Sequence, residues 1–239
     1  MRRRAFVGAA AFGAAFAFLS ACDGMPGRRR AAEVEVRPDR VTSFAVLFAE
    51  NCAGCHGPSG RGGAGALALA NPVYLAIADD AAIRRAATQG VAKTAMPAFA
   101  QSAGGMLTEA QIEILVRGIR GWARPDALGG ALPPPYFAPP GDAARGAEVY
   151  AKFCASCHGA SGQGGAKAGS IVDGSFLGLV SDQSLRSTVI AGRPDLGQPD
   201  WRNDAPGEAL GPADVSDVVA WLAAQRPANP GQPYAEAKP

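Results

Sequence analysis

Two short cysteine-histidine runs constrain this 239-residue chain more than any other feature of its sequence. One run is Cys52-Ala-Gly-Cys-His56 and the other is Cys154-Ala-Ser-Cys-His158, and together they hold four of the five cysteines and both histidines. Two thiols three positions apart reach the two vinyl groups of one porphyrin, and the adjacent imidazole then reaches its iron. The spacing therefore predicts two covalently attached haem c groups.

Each residue of these runs has an expected role at its haem. The two thiols form thioether bonds to the porphyrin, and the histidine binds the iron. A redox disulfide or half of a zinc site are the alternatives, but zinc needs further ligands and the chain has no histidine outside the two runs. The expected attachment residues are Cys52, Cys55, Cys154 and Cys157, and the expected iron ligands are His56 and His158.

The amino-terminal segment has the pattern of an export signal. Arg2, Arg3 and Arg4 precede an apolar run that ends at Leu19, which predicts a signal peptide over residues 1–21 that is cleaved. The run is too short and too rich in small residues for a membrane-spanning helix, which needs about 20 strongly apolar residues. The formal net charge of +2 falls to −1 when the three arginines are removed, so no nucleic-acid partner is expected.

The fifth cysteine lies where cleavage of that signal falls. The Leu19-Ser-Ala-Cys22 run resembles the lipobox of bacterial lipoproteins, in which the cysteine becomes the acylated first residue, so Cys22 is predicted to carry a lipid anchor. Asp23, directly after it, resembles a signal for retention at the inner membrane. An ordinary secretory signal with a nearby cysteine is the alternative. The predicted location is the periplasmic side of the bacterial inner membrane.

The chain is a tandem duplication. A shift of 102 positions, without a gap, brings the first cysteine run onto the second. The ten residues from Cys55 and the ten from Cys157 differ at only two positions, which chance similarity does not produce. The same shift pairs Tyr74 with Phe176, Leu75 with Leu177, Asp80 with Asp182, Arg84 with Arg186 and Gly90 with Gly192.

Composition divides the chain into segments. Residues 22–40 carry glycine, proline and charge without periodicity and are expected to form a tether for the anchor. Residues 125–141 hold six prolines and are expected to form a semi-rigid spacer between the copies. The predicted domains are residues 41–124 and 142–228, with a tail over residues 229–239.

Helical periodicity and capping residues predict an all-α fold with three main helices in each copy. The first helix ends at the cysteine run, a shorter helix follows, and the last helix closes the copy. The porphyrin supplies the apolar core that a domain under about 100 residues otherwise lacks. The predicted helix starts are Asp79 or Asp80 and a Thr108–Gln111 capping box in the first copy, and Ser181 or Asp182 and Pro212 in the second, with Gly90 and Gly192 ending the middle helices.

Met96 is the expected sixth ligand of the first haem iron. It stands in Ala-Met-Pro-Ala-Phe99, forty residues after His56 and just beyond the middle helix, where a loop returns to the opposite face of the porphyrin. A thioether ligand raises the reduction potential relative to harder ligands. Met106 is a rival, but it lies beyond that loop and next to a helix start. A role for Met96 as a core side chain is the structural alternative.

The second copy lacks this methionine. The 102-residue shift places Gln198 on Met96 and Trp201 on Phe99, and the second copy contains no methionine and no second histidine. The sixth ligand of the second haem iron is then Gln198, another donor such as Lys167, water, a group from a partner, or nothing. A weak or absent sixth ligand predicts a lower potential and a haem open to small ligands. Other candidates for contact with a porphyrin or its propionates are Trp201, Arg193 and Arg61.

The cysteine runs, the glycine-rich segments after them and the Met96-Pro97 loop resemble class I cytochromes c. The tandem arrangement is similar to the dihaem cytochrome subunits of terminal oxidases, including the third subunit of the cbb3 type. The resemblance covers most of residues 41–227. Two features depart from it: a lipobox replaces a membrane helix, and Gln198 stands where such families usually have methionine.

This resemblance implies a dihaem electron carrier that is not an enzyme. Single electrons pass between membrane or periplasmic redox partners of a bacterial respiratory or photosynthetic chain, such as a quinol-oxidising complex, a terminal oxidase or a soluble cytochrome. The membrane itself is the partner of the lipid anchor. The alternative is a haem enzyme or ligand-binding protein whose second haem reacts with peroxide, nitrogen oxides or sulfur compounds.

Overall fold

The computed structural model describes residues 36–63, 66–203 and 208–228. The predicted signal peptide, Cys22, most of the tether and the tail lie outside the described residues. Both copies fall within one compact unit, Val41–Pro239. In the preceding unit, the described part contains a 3-10 helix at Pro38–Arg40. No helix among the described residues is long and apolar enough to cross a membrane.

The described part of the chain is helical, with two isolated β-bridges and no strands, which confirms the predicted all-α class. In the first copy the α-helices are α1 (Phe44–Asn51), α2 (Ala53–His56), α3 (Pro72–Ile77), α4 (Asp80–Gln89) and α5 (Glu109–Arg120). In the second copy they are α6 (Ala143–Phe153), α7 (Ala155–His158), α8 (Gly174–Gly178), α9 (Asp182–Ala191) and α10 (Pro212–Ala224).

The capping residues place the helix ends where the sequence predicts them. Asp79 caps α4, since its carboxylate accepts a hydrogen bond from the Ala82 amide at 2.7 Å. Thr108 and Gln111 form the capping box of α5. Ser181 caps α9 in the same way, and Pro212 is the first residue of α10. Each cap satisfies amides that a helix start leaves without an intrahelical partner.

The first and last helices of each copy cross at a glycine. In the first copy a side chain on Gly118 of α5 would meet the ring of Phe44 at 2.0 Å. In the second copy a side chain on Gly146 of α6 would meet the carbonyl oxygen of Asp217 in α10 at 2.0 Å and the Cβ of Trp221 at 2.7 Å. Both crossings therefore need a residue without a Cβ on one helix.

One hydrophobic cluster extends through both copies. It contains the buried faces of α1, α3, α4 and α5 and continues into the second copy, while a smaller separate cluster lies under α8, α9 and α10. The second-copy members of the shared cluster are Ile190, Ala191, Trp201, Leu210 and Val215. Continuous burial of apolar surface across the two copies stabilises them as one body.

The proline-rich segment packs against the second copy instead of extending as a spacer. It begins with a 3-10 helix at Pro125–Leu128. The Arg186 Nη2 donates to the Pro135 carbonyl at 2.8 Å, and the Gln183 amide donates to the Tyr136 carbonyl at 2.9 Å. Proline composition alone predicts extension, but these buried donors on α9 hold the segment in place.

Candidate haem sites

Each cysteine run is folded as a short helix that follows the first helix of its copy. The Cys52 amide donates to the Phe48 carbonyl at 2.9 Å, so the end of α1 leads directly into α2. Gly57 then turns the chain with φ of 78°. A Cβ on Gly57 would lie 2.5 Å from the Gly62 carbonyl oxygen, so the loop folds back closely on the run. The second copy repeats this geometry at Cys154 and at Gly159, whose φ is 80°.

The two histidines are held in the same way. The Nδ1 of His56 lies 2.8 Å from the Leu67 carbonyl oxygen, and the Nδ1 of His158 lies 3.0 Å from the Gly169 carbonyl oxygen. An imidazole that donates from Nδ1 to a carbonyl presents an unprotonated Nε2 to a metal. Burial lowers the pKa of His56, which also favours the neutral ring. This geometry suits an axial iron ligand in both copies.

The four cysteines of the two runs form no disulfide. Burial, followed by the neighbouring Cys55, raises the pKa of the Cys52 thiol to about 11. Burial and the neighbouring Cys157 raise the pKa of the Cys154 thiol to about 11 in the same way. Two sulfur atoms that no disulfide occupies, beside an imidazole with a free Nε2, are the donor set that covalent haem c requires.

The loops that follow α4 and α9 share a closing backbone hydrogen bond, although only the second contains a 3-10 helix, at Pro194–Leu196. The Val91 amide donates to the Met96 carbonyl at 3.1 Å, and the Arg193 amide donates to the Gln198 carbonyl at 3.0 Å. Gly192, at the end of α9, has φ of 68° and leaves no space for a Cβ, which would lie 2.5 Å from a carbonyl oxygen of the loop. Each of these loops is named a distal loop (residues 91–99 and 193–201). Met96 and Gln198 supply the carbonyl of the closing hydrogen bond in their respective loops.

The side chains of the candidate sixth ligands differ in their surroundings. Met96 is half-buried, whereas its rival Met106 is 79 % exposed. Gln198 is half-buried, and its Nε2 donates to the Thr188 carbonyl at 3.4 Å, at the long limit for a hydrogen bond. Lys167 is exposed. Met96 and Gln198 are thus less exposed than Met106 and Lys167, and their role as sixth ligands stays a prediction.

The remaining candidates for contact with a porphyrin are engaged elsewhere or exposed. Arg61 is exposed. The Arg193 guanidinium is bound to the Asp195 carboxylate. Trp201 is 3 % exposed, belongs to the shared hydrophobic cluster and has the Arg202 guanidinium 4.9 Å from its ring centroid.

Sequence reasoning missed a pair of arginines that fix the short helices α3 and α8. Arg120 donates to the Leu75 carbonyl at 2.5 Å and to the Ala78 carbonyl at 2.6 Å. Arg226 repeats these contacts in the second copy, on the carbonyls of Leu177 and Val180, at 3.1 Å and 2.8 Å. The two arginines are 106 positions apart, so a gap-free shift of 102 does not pair them. An alignment of the two copies that allows a gap pairs these two arginines.

Comparisons with known proteins agree with this geometry. The family "Cytochrome c" matches residues 143–225, and the family "Cytochrome C oxidase, cbb3-type, subunit III" matches residues 39–117. The "Cbb3-type cytochrome c oxidase subunit FixP" of Azorhizobium caulinodans is 30% identical over 189 residues, which are 74% of this chain and 57% of that protein. The "Cbb3-type cytochrome c oxidase subunit CcoP" of Azospirillum sp. is 33% identical over 156 residues, 59% of this chain and 48% of that protein.

The chain spans about half the length of these curated relatives. Among solved structures, the Kuenenia stuttgartiensis reducing HAO-like protein complex Kustc0457/Kustc0458 matches 81% of this chain and 100% of that chain at 18% identity, with a TM-score of 0.43 that supports no conclusion. The two family matches fall on the two copies, and each copy holds a thiol pair and a histidine of the required kind. The protein is therefore a dihaem cytochrome c of class I type, with two tandem cytochrome c domains that bind two haem c groups covalently.

Proposed function

We propose that this protein carries single electrons between redox partners on the periplasmic side of a bacterial inner membrane. The repeated fold of the two cysteine runs, with each histidine Nδ1 bonded to a carbonyl, is the observation that carries the proposal. Bound haem supplies a one-electron couple at its iron. The chain's own residues hold the group, exclude water from it and keep the imidazoles oriented, which lowers the cost of reorganisation on electron transfer.

The residue roles follow from the two sites. Cys52 and Cys55 would hold the first haem, and His56 and Met96 would supply an imidazole and a thioether to its iron. In the second copy the distal loop offers Gln198, whose amide oxygen is a harder and weaker ligand than a thioether. The remaining roles are covalent attachment by Cys154 and Cys157 and iron ligation by His158.

A terminal oxidase is the electron acceptor we propose. The support is the similarity to two relatives that are named as subunits of cbb3-type cytochrome c oxidases. A quinol-oxidising complex or a soluble cytochrome is the corresponding donor. Cys22 is the proposed lipid anchor, which confines the carrier to the membrane surface near both partners.

The test uses purified full-length protein with its haem. We expect two haem groups for each chain that resist extraction by acidified acetone, and two one-electron steps in a redox titration. The reduced protein is then mixed with oxygenated membranes that contain a terminal oxidase, and oxidation of its haem absorbance is followed with time. Rapid, cyanide-sensitive oxidation supports the proposal, whereas extractable haem or no oxidation contradicts it.

The anchor is tested separately from electron transfer. Cells are labelled with radioactive palmitate, and the protein is recovered from membrane and soluble fractions. We expect label on the wild type in the membrane fraction and none on the Cys22→Ala variant. An unlabelled wild type contradicts the anchor and leaves the carrier role standing.

Ligand binding at the second haem is the other candidate function. The half-buried Gln198, with its single long hydrogen bond to Thr188, is the observation that favours it. Because an amide is a weak iron ligand, small molecules compete with it for the open position. Binding of carbon monoxide to half of the reduced haem, with turnover of peroxide or thiosulfate, supports this function. Binding without turnover leaves the carrier role.

A further inference from the structure

Arg193 connects the distal loop of the second copy to the first copy. Its side chain is almost fully buried, with 9% exposed. Its Nη2 donates to the Gly63 carbonyl at 3.2 Å, and its guanidinium binds the Asp195 carboxylate through two hydrogen bonds of 2.9 and 2.7 Å. A forked charge-assisted pair of this kind fixes both position and orientation. Asp195 thereby holds the guanidinium in the orientation in which it donates to the Gly63 carbonyl of the first copy.

The backbone of Arg193 also holds the candidate ligand position. Its amide donates to the Gln198 carbonyl, and the Gln198 amide donates back to the Arg193 carbonyl, both at 3.0 Å. These two bonds close the distal loop into an isolated antiparallel bridge. A displacement of Arg193 therefore moves Gln198 with it.

The partner of Arg193 lies beside the first cysteine run. Gly63 follows Gly62, whose amide donates to the His56 carbonyl at 3.0 Å. A Cβ on Gly63 would lie 2.6 Å from the Cys55 carbonyl oxygen, so this loop is folded closely on the run. Hydrogen bonds thus lead from the proximal segment of the first haem site to the distal loop of the second.

Among the described residues of the first copy, no side chain makes the equivalent contact from its distal loop. The 102-residue shift places Val91 at the position of Arg193, and valine has no donor to reach across. Beside Gln198 lies an open cleft of about 460 Å³, lined by Pro199 from the same loop and by Asn71, Pro72 and Val73 of the first copy. The face of the second distal loop that borders this cleft has no close packing to hold it. Side-chain hydrogen bonds therefore contribute more to the position of the loop there.

We propose that Arg193 is a positioning residue for the second haem site. It holds the Gln198 loop against the loop after the first cysteine run, so that the first copy determines how closely Gln198 approaches the distal face of the second haem. This inference rests on the proposed placement of Gln198 at that face.

The test compares Arg193→Met with Arg202→Met in the full-length protein with both haems bound. Both variants lose one arginine of the second copy, and both arginines lie near Gln198, but Arg202, which lines the cleft, pairs with Asp200 and makes no hydrogen bond to a described residue of the first copy. We expect Arg193→Met to increase the rate of carbon monoxide binding to the reduced second haem about tenfold, which is the factor for the bond to the Gly63 carbonyl, the one of its three side-chain hydrogen bonds that joins the copies. The electron paramagnetic resonance signal of the second haem changes with it, while that of the first haem stays unchanged.

Arg202→Met is expected to resemble the wild type in both measurements. Equal behaviour of the two variants, or equal changes at both haems, overturns the inference. If Arg193→Met fails to retain two haems, Arg193→Lys and Asp195→Asn are measured instead. Each is expected to increase the rate of carbon monoxide binding to the second haem by a smaller factor. Oxidation of the wild type by oxidase-containing membranes is measured in parallel, so failure of the carrier role is seen separately from failure of this inference.

Discussion

The first copy has Met96 and the second has Gln198 at matching positions of their distal loops. The carbonyl of each is bound by the amide five residues earlier, at 3.1 Å and 3.0 Å. Glycine ends the preceding helix in both copies because the loop passes too close for a Cβ. The duplication has therefore retained this closing contact while the predicted sixth ligand has changed.

The crossing of the first and last helices differs between the copies. In the first copy Gly118 on the last helix faces the Phe44 ring, whereas in the second copy Gly146 on the first helix faces the Asp217 backbone and the Cβ of Trp221. The 102-residue shift pairs Phe44 with Gly146, so the crossing glycine lies on the last helix in one copy and on the first helix in the other. Close packing is thus reached through different contacts in the two copies.

The surfaces between the copies are the third difference. Asn71 caps α3 with its Oδ1 and uses its Nδ2 to donate to the Ala191 carbonyl of the second copy at 2.8 Å. Its counterpart by the 102-residue shift is Asp173, which caps α8 but has no donor. Asn71, which joins the two copies by a hydrogen bond, is therefore at a position where the copies have different residues.

Substitution of alanine for the two crossing glycines is expected to have the largest effect on stability, and an effect that differs between the copies. Gly146→Ala sets a methyl group against the Asp217 backbone, which cannot move aside, so we expect a loss of about 3 kcal/mol or more in stability. In Gly118→Ala the nearest obstacle is the Phe44 ring, a side chain that can move, and the expected cost is about 1–2 kcal/mol. Denaturant unfolding of the two holoproteins measures both losses.

Truncation of Phe44 provides the control for this contrast. Phe44→Ala combined with Gly118→Ala is expected to cost less than the sum of the two single variants, because the smaller side chain vacates the space that the new methyl group enters. Equal losses for Gly146→Ala and Gly118→Ala contradict the contrast.

Exchange of the candidate ligands sharpens the comparison of the distal loops. Met96→Gln is expected to lower the midpoint potential of the first haem, and Gln198→Met to raise that of the second, each by on the order of 0.1 V within the range of about 0.8 V that axial ligands span. The physical reason is that a thioether stabilises ferrous iron better than an oxygen donor. Redox titration with electron paramagnetic resonance resolves both irons. An unchanged second haem in Gln198→Met shows that this side chain does not face the iron.

Asn71→Asp converts the first-copy cap into its second-copy counterpart. The carboxylate still accepts from the α3 amides, but the donor to the Ala191 carbonyl is lost, and we expect a cost of about 1–3 kcal/mol for an unsatisfied buried acceptor. Thermal unfolding of the holoprotein measures this cost. Asp173→Asn, which changes a cap that makes no contact between copies, is the matched control and is expected to be within about 0.5 kcal/mol of wild type.

Acid sensitivity is expected to be larger in the second copy than in the first. The Arg145 guanidinium and the Asp142 amide hold the pKa of Asp217 below its usual range, and in α5 the residue 106 positions earlier is the uncharged Gln111. A carboxylate with a depressed pKa in the folded state contributes its full stabilisation above the unfolded value of about 3.9, and loses it as the pH falls through the folded value.

Titration of the oxidised protein between pH 5 and about 2 tests this expectation, with each haem followed by its own signal. We expect the signal of the second haem to change at higher pH than that of the first. Asp217→Asn is expected to be less stable at neutral pH and to lose this component of the acid dependence. Simultaneous loss of both signals in the wild type contradicts the expectation.

Local sequence signals predicted the helices that have caps and a period to mark them. Asp79, Ser181 and the Thr108–Gln111 box lie where the structure has them, because a cap is a contact between residues close in the chain. The short helices α3 and α8 were not predicted. At six and five residues they have no measurable periodicity, and although Asn71 and Asp173 cap their starts, distant arginines hold their carboxyl-terminal ends.

The sequence by itself determined the chemistry of this protein: two thiol pairs, each followed by a histidine, in a duplicated all-α chain specify two covalent haem groups. Those signals are local, since thioether spacing and helix capping depend on residues a few positions apart. Only the tertiary structure decided that the copies share one hydrophobic cluster, that the proline-rich segment packs against α9, and that Arg193 reaches Gly63 across 130 positions. Contacts between residues so far apart depend on how the helices pack, and no local pattern records them.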